Sequence, residues 1–148
     1  MTIFETIRAQ LGEAVPFAKH AGVILKSVAA GEASAELPQT PASINHIGTQ
    51  HAGALFTLGE AASGGAMAGA FADQLLGIRP VAAEASIAYK KIAKGTIAAH
   101  AHIAAPVDTL RVMLAETGRV GFDVDVSLFN NEGVEVATMK VKWDVRKI

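Results

Sequence analysis

From Ala52 to Ala72 the only formally charged residue is Glu60. A helical stretch this apolar must be covered on nearly every side, by protein or by lipid. It is long enough to cross a bilayer, and Gly65 and Gly69 supply a small-xxx-small spacing. Against a span, an acidic group near its middle costs about 3 kcal/mol on insertion scales. No polybasic flank follows, and the neighbouring segments alternate as amphipathic strands. The expectation is a central helix enclosed by a sheet, with no membrane span. Glu60 then poses a question, because a buried carboxylate costs several kcal/mol unless it is paired or protonated.

Periodicity supplies the enclosing elements. Thr2 to about Leu11 places Ile3, Phe4, Ile7 and Leu11 on one face of an amphipathic helix, which Pro16 interrupts. Val23 to Val28 and Ala33 to Leu37 read as a hairpin turning at Gly31. Pro38 and Pro41 open a loop through Asn45, and the apolar helix follows. Strands resume at Val81–Ile92 and Thr96–Ile103, turning at Lys94-Gly95. A shorter helix, Val107–Thr117, starts after Pro106 and stops at Gly118, with Asp108 as its expected N-cap. Phe122–Phe129 and Val134–Val145 close the chain as a hairpin about Asn130-Asn131-Glu132-Gly133. The last strand buries Val134 and Val136, then switches to Met139, Val141, Trp143 and Val145. That change of phase predicts a bulge near Ala137-Thr138.

A chain of 148 residues suits one domain, 1–148, with a proper core. Its apolar fraction of 51% exceeds what so small an interior takes up, which points to a second copy covering part of the surface. A homodimer or a dimer of dimers is expected. The net charge of −1, without a basic block, argues against nucleic acid. With no cysteine there is neither a disulfide nor a thiolate site. Glu5 and Arg8 interrupt the N-terminal stretch, which does not read as a signal peptide, so a cytoplasmic location is expected.

An antiparallel sheet curled round one long helix, an α+β arrangement, resembles the hotdog fold. Here an extra N-terminal helix and a short helix between the later strands would be added to it. The helix start sharpens the resemblance. Asn45-His46-Ile47-Gly48-Thr49-Gln50-His51-Ala52-Gly53 is similar to the N-x-x-G-x-x-H-G-G signature of the acyl-CoA thioesterases related to the phenylacetate-pathway enzyme. Glu60 lies nine positions after His51, where that family carries its catalytic Asp or Glu.

The resemblance implies thioester hydrolysis at a dimer interface. The free N–H groups of a helix N-terminus carry partial positive charge and suit a thioester oxygen. By resemblance Ala52 supplies the principal donor, with Gly53 allowing close approach. Glu60 of one subunit acts as general base or nucleophile beside the Asn45–Ala52 loop of the other, and Asn45 positions water or the carboxylate. His51 stands at the helix entry, either in the site or as a structural bond to the loop. Three positions depart from the pattern. Ala52 replaces the first motif glycine, Gly64 stands where some relatives have a hydroxyl, and Ala82 stands where a subgroup has serine.

Lys90, Lys91 and Lys94 follow Tyr89 near a strand end and are candidates for the phosphates of coenzyme A. Coenzyme A enters as part of the substrate, and no separate cofactor is implied. His100 and His102 share a strand face without an evident third ligand, so no metal site is expected. Two other functions stay open. A 3-hydroxyacyl thioester dehydratase would use His46 and Glu60, although the proline-rich loop of those enzymes is missing. A hotdog protein could also bind an acyl ligand without turning it over.

Overall fold

The computed structural model describes residues 1–148. Helix α1 (Ile3–Ala14) opens on a capping box. The Thr2 hydroxyl accepts from the Glu5 N–H, and the Glu5 carboxylate accepts from the Thr2 N–H. Pro16 ends α1 but also starts a short helix, α2 (Pro16–Ala21), too brief to show a period. Strands β1 (Ile24–Ala29) and β2 (Glu32–Leu37) form the expected hairpin, with Gly31 at φ 76°. Then come α3 (Ala52–Ala70), β3 (Ile78–Tyr89), β4 (Ile97–Ile103), α4 (Val107–Thr117), β5 (Arg119–Phe129) and β6 (Glu135–Lys147). No helix is long and apolar enough to cross a membrane.

The six strands make one antiparallel sheet in the order β1-β2-β4-β5-β6-β3. Two expectations need correction. The strands flanking Lys94-Gly95 do not pair with each other: β3 lies on the outer edge beside β6, and β4 lies between β2 and β5. The intervening turn is held to the end of β2 instead. Gln50 donates through Nε2 to the carbonyls of Leu37 and Gly95, and Gln39 accepts the Gly95 N–H. The second correction concerns α4. Its N-cap is Pro106, and Asp108 stands in the first turn without a capping bond, where its charge still favours the helix dipole.

The change of phase in β6 is a bulge at Val136, one residue before the expected place. Leu128 faces Ala137 while Phe129 faces Glu135, leaving Val136 without a partner. Val136 and Ala137 are both fully buried. The freed Val136 carbonyl accepts the N–H groups of Lys90 and Lys91, which ties the chain leaving β3 to β6.

The sheet curls round α3. Leu55, Leu58, Ala62 and Ala66 pack against the inner residues of β2, β4 and β5 in a single cluster. Glycine sets how closely the helix can sit. A Cβ on Gly69 would lie 1.9 Å from the Ala29 carbonyl oxygen at the end of β1, beside the β1–β2 turn, and main chain cannot swing aside as a side chain can. Gly69→Ala is therefore expected to lower stability by about 3 kcal/mol, the upper end of ordinary overpacking. For a chain of this size that is a fall in Tm of roughly 6–12 °C in a thermal melt. An unchanged Tm would mean that α3 and the turn are farther apart.

Strand β3 is the exception to this coverage. Its middle is left uncovered by α3, and residues 81–86 are exposed on both faces although most are small and apolar. A long, uncovered edge strand is a template for pairing with another strand.

Candidate active site at the start of the central helix

The loop before α3 is built round Asn45. Its Oδ1 accepts the N–H groups of Ile47 and Thr49, and its Nδ2 donates to Thr49 Oγ1 and the Gln50 carbonyl. Both ends of the amide are thus engaged in holding the loop. Asn45 shapes the entry to the helix, and no donor remains to orient a water.

His51 is the N-cap of α3. Its Nδ1 accepts the Gly53 N–H at 2.8 Å, which satisfies one of the orphan donors of the first turn. Gly53 gives this ring room, since a Cβ there would sit 3.1 Å from Nδ1. The close approach at Gly53 is therefore that of the capping imidazole. The N–H of Ala52 has no partner in the chain, and Ala52 is exposed. A free donor at the positive end of a nineteen-residue helix suits a developing oxyanion.

This N-terminus opens on a groove. Asn45 and Thr49 border one side, and Tyr89, Lys90 and Lys91 border the other. The Tyr89 hydroxyl donates to the Ala52 carbonyl at 2.8 Å, and its partial burial raises its pKa and keeps it a donor. Lys90 is paired with Glu135 at 2.8 Å, a hydrogen bond that lowers the pKa of that carboxylate. Lys91 has no such partner. Lys94 does not border the groove.

Glu60 lies elsewhere. It is half-buried at the wall of an apolar cavity whose other faces include Leu25, Met67, Pro80 and Trp143. Burial alone pushes its carboxyl up from the ordinary range, with no hydrogen bond or ion pair to oppose it. None of His46, His51 or a lysine of the same chain pairs with it. The turn of α3 that carries Glu60 is anchored from behind. Ser63, fully buried, donates to the Glu60 main-chain carbonyl at 2.7 Å and accepts the Trp143 indole N–H at 3.0 Å.

Ala52 and Glu60 are eight residues apart on one helix, so their main chains are separated by about 12 Å. The two groups the resemblance assigns to one reaction therefore face different openings of a single chain. His46 is exposed in the loop. His100 and His102 stand on the outer face of β4, opposite Ser34 and Glu32.

Several contributors escape sequence reading. Ser63 and Trp143, eighty positions apart, give one faint signal: a serine inside an apolar helix, and the only tryptophan of the chain. Tyr89 is visible as a neighbour of the lysines, but its bond to Ala52 is not.

A family model described as a domain of unknown function, DUF4442, matches residues 5–145. The chain belongs to the DUF4442 family. No curated protein matches it. Among solved structures, this DUF4442 chain is similar to a Pseudomonas aeruginosa protein described as of unknown function and a probable thioesterase. The TM-score is 0.85 at 26% identity, over 97% of this chain and 95% of that one. The PaaI protein of the E. coli phenylacetic acid degradation operon superposes with TM-score 0.71 at 20% identity, over 97% and 92% of the two chains. A hypothetical thioesterase of Streptococcus pneumoniae, solved with coenzyme A, gives 0.66 at 23% identity, over 84% and 86%. The helix wrapped by an antiparallel sheet is the hotdog fold, shared with these structures, and α1, α2 and α4 are built onto it.

Proposed function

We propose that this DUF4442 chain is an acyl-CoA thioesterase whose site is completed by a second copy. The observation that carries the proposal is the path of β3. This edge passes Pro80, beside the Glu60 cavity, and ends at Tyr89, beside the Ala52 groove. Antiparallel pairing of two β3 edges about a two-fold axis lays the Pro80 end of one along the Tyr89 end of the other. Glu60 of each subunit then approaches the Ala52 N–H of its partner, and the separation within one chain ceases to matter.

At such a site the thioester oxygen takes the Ala52 N–H. Glu60, with its raised pKa, removes a proton from water as the water oxygen bonds to the carbonyl carbon. The C–S bond then breaks, and the coenzyme A thiolate recovers the proton from Glu60. Direct attack by the carboxylate instead breaks the C–S bond, expelling the coenzyme A thiolate and leaving a mixed anhydride; water opens the anhydride, regenerating the Glu60 carboxylate, and the proton it releases goes to the thiolate. Asn45, His51 and Gly53 hold the loop and helix entry that present the donor. Lys91, which lines the groove beside Lys90 without a carboxylate partner, is the lysine we assign to a phosphate of coenzyme A, and Lys94 does not line the groove.

Incubation with acetyl-, octanoyl- and palmitoyl-CoA, and in parallel with 3-hydroxyoctanoyl-CoA, tests this function, with free thiol read against the absorbance of the unsaturated product that dehydration of the hydroxyacyl substrate would give. Thiol release is the expected result. Binding without turnover would leave a non-catalytic acyl-CoA binder, and dehydration without thiol release would assign His46 and Glu60 to a dehydratase.

A further inference from the structure

The helices added to the fold form one side of a cavity, and that cavity has Glu60 in its wall. Leu11, Gly12 and Val15 roof it from α1 and the link to α2, and Leu25 closes one side from β1. Its floor is the face of α3 that carries Glu60, Gly64 and Met67, with Trp143 of β6 beside them. Resting on the proposed function, we infer that this cavity is the acyl pocket and that it takes a straight aliphatic acyl chain of medium length.

Three observations set the class of ligand. The first is polarity. Glu60 is the only charged residue of the lining, and the indole N–H of Trp143 is already held by Ser63, so the walls ask for no polar partner. A ligand must present hydrocarbon to this space and bring its reactive end to Glu60. The second is shape. Glu60, Gly64 and Met67 are spaced four and three residues apart on one helix face, so the floor runs about 10 Å away from the carboxylate. That suits an extended chain better than a single ring. The third is volume. The cavity measures about 220 Å³. Scaled from a dry cavity of about 150 Å³ that holds benzene, this gives room for about nine carbons. A two-carbon acyl group would leave it mostly empty, and a sixteen-carbon one would overrun it.

Gly12 provides the test. A Cβ there would meet nothing within 4 Å, so a larger side chain on α1 enters open space. Leucine also suits a helix interior better than glycine, so Gly12→Leu should not lower Tm. In the wild type, kcat/KM for octanoyl-CoA should exceed that for both acetyl- and palmitoyl-CoA. In Gly12→Leu the ratio of octanoyl- to acetyl-CoA should fall about tenfold or more, the ordinary effect of removing room for a methylene or two. Gly12→Ala should give a smaller shift in the same direction, which guards against a local disturbance of α1 by leucine. Displacement of a fluorescent fatty acid by octanoate separates the pocket from the chemistry. If no thioester is hydrolysed but octanoate binds to the wild type and not to Gly12→Leu, the thioesterase reading fails and the pocket stands. If neither the chain-length ratio nor octanoate binding changes in Gly12→Leu, the acyl chain lies elsewhere and the inference is overturned.

Discussion

Glu60→Gln is expected to lower kcat for thioester hydrolysis by about two to four orders of magnitude, the range for a positioned acid–base group. Glutamine keeps the size of the side chain and removes both the base and the charge, so acyl-CoA binding should survive. The same substitution should leave stability unchanged or raise it. Burial lifts the Glu60 pKa in the folded chain above its unfolded value. The folded state therefore favours the protonated form, and stability is fully present below the unfolded pKa and lost as pH rises through the folded one. Wild type and Glu60→Gln should melt alike in acid, and the variant should gain on the wild type toward neutral pH. For the same reason the acid limb of kcat in the wild type should lie above the ordinary glutamate range of about 4.3. Hydrolysis at the wild-type rate would remove Glu60 from the chemistry. Loss of dimerisation together with early melting would make it a structural carboxylate of the interface.

Ala52→Pro should lower kcat by about a hundred- to a thousand-fold, the effect of losing one oxyanion donor. Proline deletes the N–H proposed to bind the thioester oxygen and little else. The first position of a helix accepts proline, because its N–H has no intrahelical partner. The preceding residue must be extended, and His51 already is, with ψ 143°. The cap also survives, since His51 bonds to the N–H of Gly53 and not to that of Ala52. Circular dichroism and Tm should therefore match the wild type while turnover fails. Full activity in a folded Ala52→Pro would place the carbonyl somewhere other than this helix end.

The parts of the molecule that depend on neighbours in sequence are legible in the sequence. The apolar helix, the alternation of β5 and the phase change of β6 follow from side-chain period alone, and the bulge fell within a residue of its expected place. The parts that depend on distant partners are not. The separation of β3 from β4 is held by the Gln50 side chain reaching Gly95, forty-five positions away. Helix α2 spans six residues, too few to display a period. At the site, the motif Asn45–Gly53 and the lone acid Glu60 stand out by residue type. What each polar atom bonds to does not: the Asn45 amide is wholly engaged by its own loop, and the Gly53 N–H by His51. The cavity roof was the least accessible feature, because its walls come from residues as far apart as Leu11 and Trp143.

Subunit complementation tests the central claim, that Glu60 of one copy serves the Ala52 N–H of the other. Glu60→Gln and Ala52→Pro homodimers are each expected to be nearly inactive. After the two are mixed, unfolded and refolded together, a mixed dimer holds one site with both defects and one site with neither. Half of randomly assorted dimers are mixed, so roughly a quarter of wild-type thiol release should return. If both groups acted within one chain, every site of the mixed dimer would keep one defect. A mixture shown to contain mixed dimers but no more active than its separate parents would contradict the shared site.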